Sequence, residues 1–242
     1  MIALVDYGIG NLRSVEKALA TVGAEVQLTS DPAVILSAEK VVLPGVGAFG
    51  DGMAGLRQRG LVEVIKAVVD RQAPLLGICV GMQVLFEESE EHGRHVGLGL
   101  LPGCVRRFDS AQLKIPQTGW NQIWPESRSA SEGPASGRSA SEGSASEGPA
   151  SEGSASGRSA SEGSASGDAS YKLLDDVEPG AYVYFNHGYY CDAADADVLA
   201  RTDYGVKYAS IVGRGRLYGI QFHPEKSQRV GLAILRNFVE RG

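Results

Sequence analysis

Apolar and polar positions along the chain fall into two rhythms, and the change between them divides it. Residues 2–5 form a short apolar run that reads as a strand, and 11–22 follow as a helix with Leu12, Val15, Leu19 and Val22 on one face. Residues 24–28 and 40–43 read as the next two strands, the second running into Pro44-Gly45-Val46-Gly47-Ala48-Phe49-Gly50. Leu61, Val64, Ile65 and Val68 mark another amphipathic helix, after which an apolar strand begins at Leu75. This alternation predicts an α/β fold: an open, mostly parallel sheet with helices on both faces and its site at the carboxyl ends of the strands. Beyond it, short β-rich stretches at 106–108, 122–124, 182–185, 198–202, 209–212 and 217–222 are separated by turn residues. Part of the sheet there is expected to be antiparallel. A closing helix should follow, capped by Ser227 with Val230, Ile234 and Phe238 on its inner face.

Neither rhythm survives between 127 and 167. That stretch is almost wholly Ser, Ala, Gly, Glu, Arg and Pro, with Arg-Ser-Ala-Ser-Glu-Gly recurring at Arg128, Arg138 and Arg158. With no large apolar residue it has nothing to offset the entropy of ordering, so it reads as a flexible insert, coiling over roughly 35 Å end to end when free. The chain is then one domain over 1–242, interrupted by that insert.

At 242 residues, 43% apolar and 21% charged, the chain has enough material for one core. A net charge of -6 without any lysine or arginine run argues against a nucleic-acid partner. Apolar runs stay far short of the roughly 18 residues a bilayer span needs. The N-terminus carries Asp6 and no basic leader, so a cytoplasmic location is expected. Three cysteines are too few and too scattered for a disulfide framework or a zinc site, and no metal or other cofactor is expected. Cys104 and Cys191 read as buried small hydrophobes.

Cys79 is different. It stands in Gly77-Ile78-Cys79-Val80-Gly81, where an apolar strand turns through a thiol flanked by glycines. That spacing is the cysteine form of a nucleophile elbow, a tight strand-to-helix turn that thrusts the reactive atom out of the backbone. A thiol needs an imidazole to manage its proton and the imidazole needs an orienting acceptor. Phe222-His223-Pro224-Glu225 offers both: on an extended chain residues two apart project to one side, so Glu225 can hold the ring edge of His223 that faces away from the sulfur. His92, His95 and His187 are the competing bases, the first two in a Gly- and Glu-rich stretch that reads as exposed loop. An oxyanion hole is expected from the amide of Val80, which opens the helix after the elbow, and from the Gly45-Val46-Gly47 loop through Val46 and Gly47. A phosphate role for that loop is weak because it lacks the Walker lysine, and Gly8-Ile9-Gly10 lacks the third glycine of a dinucleotide fingerprint.

The elbow heptapeptide at 77–83 together with Phe-His-Pro-Glu at 222–225 resembles the class I glutamine amidotransferases, which hydrolyse the side-chain amide of glutamine through a thioester. The blocks at 5–12, 43–49, 86–91, 119–121, 182–185 and 221–226 look, within that class, like the glutaminase subunits of imidazole glycerol phosphate synthase. The insert is not part of that pattern, and Asn186-His187-Gly188 replaces the usual Val-His-Ser or Val-His-Thr. The resemblance implies a flavodoxin-like fold, L-glutamine as substrate, and a glutamine amino-acid end held by Gly45, Gly47, Gln83 and the backbone at Gly188 and Tyr189. It adds Glu91 as a candidate for the substrate ammonium. Gln83, one helical turn after Cys79, can face the same pocket. The resemblance also implies a heterodimer with a cyclase subunit, a (β/α)8 barrel that consumes the ammonia, near Trp120, Tyr184 and Lys226. Glycines on both sides of Val46 would permit a partner-controlled peptide flip. Two alternatives remain: the glutaminase subunit of another amidotransferase, or a stand-alone γ-glutamyl cysteine hydrolase that needs no partner.

Overall fold

A computed structural model describes residues 1–109, 113–126 and 169–242 of the chain; the insert expected at 127–167 lies outside the described residues. The first half alternates as β1 (Ile2–Val5), α1 (Leu12–Thr21), β2 (Val26–Thr29), α2 (Pro32–Ser37), β3 (Lys40–Leu43), α3 (Phe49–Gln58), α4 (Val62–Asp70), β4 (Leu75–Ile78) and α5 (Val80–Gln83). The second half is strand-rich: β5 (Phe86–Ser89), β6 (His95–Val96), β7 (Leu101–Arg107), β8 (Gln117–Pro125), β9 (Ala181–His187), β10 (Tyr189–Ala193), β11 (Val198–Asp203), β12 (Lys207–Arg214) and β13 (Leu217–Ile220), closed by α6 (Gln228–Arg241).

The sheet runs β2-β1-β3-β4-β13-β12-β10-β7-β5-β6, with β11, β8 and β9 branching from β12. From β2 to β13 every neighbour is parallel. From β13 onward the pairing is antiparallel except between β5 and β7. β1 and β4 are buried along their whole length, as strands must be when both faces of a parallel sheet are covered. Among the helices, α1 packs against α6, α2 against α4 and α3 against α5. Ile234 and Phe238 of α6 are wholly buried, as its periodicity predicts.

Three differences from the sequence reading have local causes. The second strand begins at Val26, because 24–25 belong to the turn after α1. The helix α2 is short, started by Asp31, whose carboxylate accepts from Ala33 N at 2.8 Å, and by Pro32 at its first position. The helix α3 escapes propensity because it carries Gly50, Gly52 and Gly55, each costing about 1 kcal/mol against alanine. Burial of Phe49, Met53 and Leu56 outweighs that cost, and the glycines let the helix approach closely. A Cβ on Gly52 would meet Val80 Cγ1 at 3.1 Å, and one on Gly55 would collide with the Tyr7 carbonyl.

Candidate active site

Three adjacent parallel strands, β3, β4 and β13, end at the same edge of the sheet and deliver three chain segments to one place. After β3 comes the Gly45-Val46-Gly47 loop, after β4 comes Cys79, and after β13 come Gln221 and His223. The register aligns Ile220 with Ile78 and Leu43 with Gly77, and Cys79 N donates to Ile220 O at 2.7 Å.

Cys79 takes φ 55° and ψ -111°, a conformation that costs a residue with a Cβ about 1–3 kcal/mol and persists only where the surroundings enforce it. Glycines do the enforcing. A Cβ on Gly77 would lie 2.7 Å from the Gly81 carbonyl carbon, and one on Gly81 would run into the Leu43 carbonyl oxygen. Gly45 is fitted as tightly, since its Cβ would fall 2.7 Å from Gly81 N and 2.8 Å from Val80 Cβ. The spacing read as an elbow is therefore a close stack of the β3 loop on the β4–α5 turn. Tyr7, wholly buried, donates its hydroxyl to the Pro44 carbonyl and so holds that loop from beneath.

His223 Nδ1 is 3.0 Å from Glu225 Oε1, and both side chains are buried. The ring lines the same cleft as Cys79, whose sulfur is among the groups that bear on its charge. The pair does not arise from an extended chain as expected: Pro224–Lys226 is a 3-10 turn, which folds the carboxylate back onto the ring. Ser227 makes no side-chain cap on α6. Its hydroxyl instead donates to His223 O at 2.7 Å and accepts from Tyr184 N at 2.9 Å, while His223 N donates to Tyr184 O at 2.9 Å. The turn bearing the imidazole is thus clamped to β9.

Burial opposes the charge on His223, but the hydrogen bonds and charges of Cys79 and Glu225 outweigh it and raise its pKa to about 9. The ring is protonated at neutral pH and can give a proton to a leaving group. Loss of that proton as pH rises should set an alkaline limb near 9 in kcat/KM. A pH–rate profile checks this, and full activity held well above that pH would contradict it.

A half-open cleft of about 370 Å³, mouth included, lies over Cys79 and His223. Val46, Gly47, Val80, Gln83, Glu91, Gly188 and Tyr189 line it. Gly45 does not line it, being buried under the elbow as a spacer. Gly47 has φ 105° with open space beside it, so backbone conformation and not room demands glycine there. The Val80 amide opens α5 and has no intrahelical acceptor. Gln83 is buried, not solvated: its Nε2 donates to Tyr189 O at 3.1 Å and to Gln221 Oε1 at 3.2 Å. Glu91 Oε2 accepts from Phe49 N at 2.6 Å, so this carboxylate also caps the start of α3.

From sequence, no role fell to Asn186, to His187 beyond that of a competing base, or to Gln221. The first two line the cleft. His187 is no rival base: Nδ1 donates to Tyr189 O at 2.7 Å, Nε2 lies 3.2 Å from the Tyr208 hydroxyl, and burial pushes its pKa down to about 4. His92 and His95 stay outside the cleft wall, His95 packing by Phe49 at 6.4 Å between ring centroids. Cys104 and Cys191 are buried free thiols. Among the described residues no group of His, Cys, Asp and Glu side chains could hold a metal, and no helix is long and apolar enough to cross a membrane.

On the exposed face of the β8–β9 ribbon, Trp120 and Tyr184 pair in register with ring centroids 6.1 Å apart. Lys226 Nζ lies 5.6 Å over the Tyr184 ring. Trp120 is 46% exposed, whereas the alternate residues Val183, Phe185 and His187 point inward.

Fold and cleft together define a class I glutamine amidotransferase, and the family model of that description matches residues 3–241. The chain is 45% identical over 242 residues to an imidazole glycerol phosphate synthase subunit HisH from Chloroflexus aurantiacus, covering 99% of this chain and 95% of that one. It is 42% identical over 241 residues to the subunit of the same name from Moorella thermoacetica, covering 99% and 94%. Among solved structures it resembles PurLQS from Thermotoga maritima, with TM-score 0.65, 18% identity and coverage of 98% and 96%. It likewise resembles a glutamine amidotransferase with TM-score 0.65, 16% identity and coverage of 99% and 98%; at that identity the likeness concerns the fold alone. The chain belongs to the class I glutamine amidotransferases and, within them, to the family of imidazole glycerol phosphate synthase subunit HisH: it is an enzyme, a glutaminase subunit serving histidine biosynthesis.

Proposed function

We propose that Cys79, His223 and Glu225 carry out the hydrolysis of L-glutamine to L-glutamate and ammonia, and that the ammonia passes directly to a cyclase partner. The observation that carries this reading is a thiol on a strained elbow that shares one cleft with a buried imidazole, itself held by a carboxylate. The Cys79 thiolate attacks the amide carbon and pushes charge onto its oxygen, which the amides of Val80 and of the Val46–Gly47 loop receive. Each such donor is worth about 100- to 1000-fold in turnover. His223, protonated at neutral pH, gives its proton to the departing nitrogen, and ammonia leaves a thioester. A water then adds while His223 takes its proton, the C–S bond breaks, and glutamate is released. Gln83, Glu91, Gly188 and Tyr189 hold the amino-acid end of the substrate, Gly47 contributes by its close backbone, and Gly45 acts by seating the loop.

Ammonia free in neutral water is largely protonated and no longer a nucleophile, so a synthase must take it without release. The partner in this reading is a (β/α)8-barrel cyclase, bound as a heterodimer in the cytoplasm, that uses ammonia to build imidazole glycerol phosphate. Trp120, Tyr184 and Lys226 form its docking patch. The reading draws support from the exposure of Trp120 and Lys226 and from the clamp joining the half-buried Tyr184 to the His223 turn. The test is ammonia release from glutamine by the purified chain, alone and with the cyclase subunit. The expected result is a rate that rises with the loaded partner and falls when Trp120 or Lys226 is replaced by alanine. Equal rates with and without partner would overturn the coupling, and hydrolysis of γ-glutamyl peptides without any partner would favour a stand-alone hydrolase.

A further inference from the structure

His223 is not alone in reaching the nucleophile. Gln221 follows β13, is wholly buried, and its Nε2 lies 3.8 Å from Cys79 Sγ across 142 positions of sequence. Its Oε1 accepts from Gln83 Nε2 at 3.2 Å, and the same Gln83 nitrogen donates to the Tyr189 carbonyl at 3.1 Å.

The direction of this relay follows from its far end. An amide can be turned over without changing its shape, so polarity needs an anchor that cannot be turned. The Tyr189 carbonyl is that anchor, since a carbonyl only accepts. Gln83 must therefore present its NH2 group, Gln221 must answer with its oxygen, and the Gln221 NH2 group is left aimed at the sulfur. Inverting Gln221 would set NH2 against NH2 at one end and oxygen against sulfur at the other. His187 holds the anchor in place through its Nδ1–H, which donates to the same carbonyl at 2.7 Å.

We propose that Gln221 is a catalytic residue of the glutaminase reaction, donating an N–H to the Cys79 sulfur whenever that atom carries negative charge. This rests on the reading of Cys79 as the nucleophile. In the attack the sulfur pair forms the C–S bond and charge moves to the substrate oxygen. In the last step the C–S bond breaks, the pair returns to sulfur, and the carbonyl of glutamate re-forms. The sulfur is the anion at both ends of the cycle. His223 gives and takes its proton between them, whereas the amide never changes state, so Gln221 is the constant donor. The other titratable groups around the sulfur are Glu225 behind His223, Tyr7 and Cys191 buried beside it, and His187 and Glu91 in the cleft wall.

The experiment compares wild type with Gln221→Met and Gln221→Glu. Methionine keeps the length and removes the donor; glutamate keeps the shape and the bond from Gln83 but turns an oxygen onto the sulfur. Cys79 alkylation by iodoacetamide is followed across pH by peptide mass spectrometry on the full chain, and kcat and KM for glutamine are measured with the cyclase partner. Removing a hydrogen bond to a charged group should lower kcat about 10- to 100-fold in Gln221→Met and further in Gln221→Glu, with KM within about two-fold. The alkylation profile should move to higher pH in both. An unmoved profile in a variant that melts like wild type overturns the proposal, and so does a loss carried by KM alone. The isosteric Gln221→Glu decides by itself where the methionine variant does not fold. Glutamine hydrolysis that persists in Cys79→Ala would instead sink the nucleophile reading, a separate outcome.

Discussion

Replacing Cys79 by alanine should lower glutamine hydrolysis by about 10⁴-fold or more while the protein still folds, because the step that divides the reaction disappears with the thiol. Serine should not rescue it, since a hydroxyl beside His223 stays protonated where a thiol can ionise. The backbone supplies an internal control. Cys79 holds φ 55°, which glycine adopts without the strain a Cβ incurs. Cys79→Gly should therefore melt no lower than Cys79→Ala, and both should be inactive. Ammonia release in the presence of partner, read beside thermal melting, separates the chemical role from the structural one. An alanine variant retaining a tenth of wild-type turnover would remove Cys79 from the mechanism.

Gly81→Ala should damage the protein more broadly. The new Cβ would collide with the carbonyl oxygen of Leu43, the last residue of β3, and no side chain stands there that could swing away. The β3 loop and the α5 turn would have to part, and between them lie Gly45, Val80 and the backbone that holds Cys79 in its unusual conformation. The expected cost is about 3 kcal/mol or more, at the high end for overpacking because the neighbour is backbone. Any folded fraction should lose about 100-fold in activity through displacement of the reacting atoms. Chemical denaturation and turnover per folded molecule check both parts. Wild-type stability in Gly81→Ala would mean that the elbow and loop are not stacked as described.

These two positions also mark how far local sequence carries. Gly77 and Gly81 are legible as an elbow because the pattern is short and the strand before it is continuously apolar. The β3 loop was legible as a partner for the same reason, although Gly45 proved to be a spacer under the elbow and not part of the cleft wall. The helix α3 was hidden because three glycines mask an apolar face that only tertiary burial rewards. Glu225 was found for a partly mistaken reason, since a 3-10 turn and not an extended chain brings it to His223. Gln221 left one faint signal, a polar side chain inside the apolar run 217–222, two positions before the imidazole; alone, that is indistinguishable from a solvent-facing strand residue.

By itself the chain of residues determined which atoms could react, where the backbone must turn sharply, and the alternation that makes a parallel sheet; all of these depend on neighbours within a few positions. Only the tertiary structure decided that β13, the last strand along the chain, lies beside β4, so that Cys79 and His223 share an edge and the Gln221 amide points its N–H groups at sulfur. Strand order depends on how two buried faces pack against helices from distant parts of the chain, and amide polarity on a carbonyl brought up from another strand. Neither quantity has a period in sequence that could reveal it.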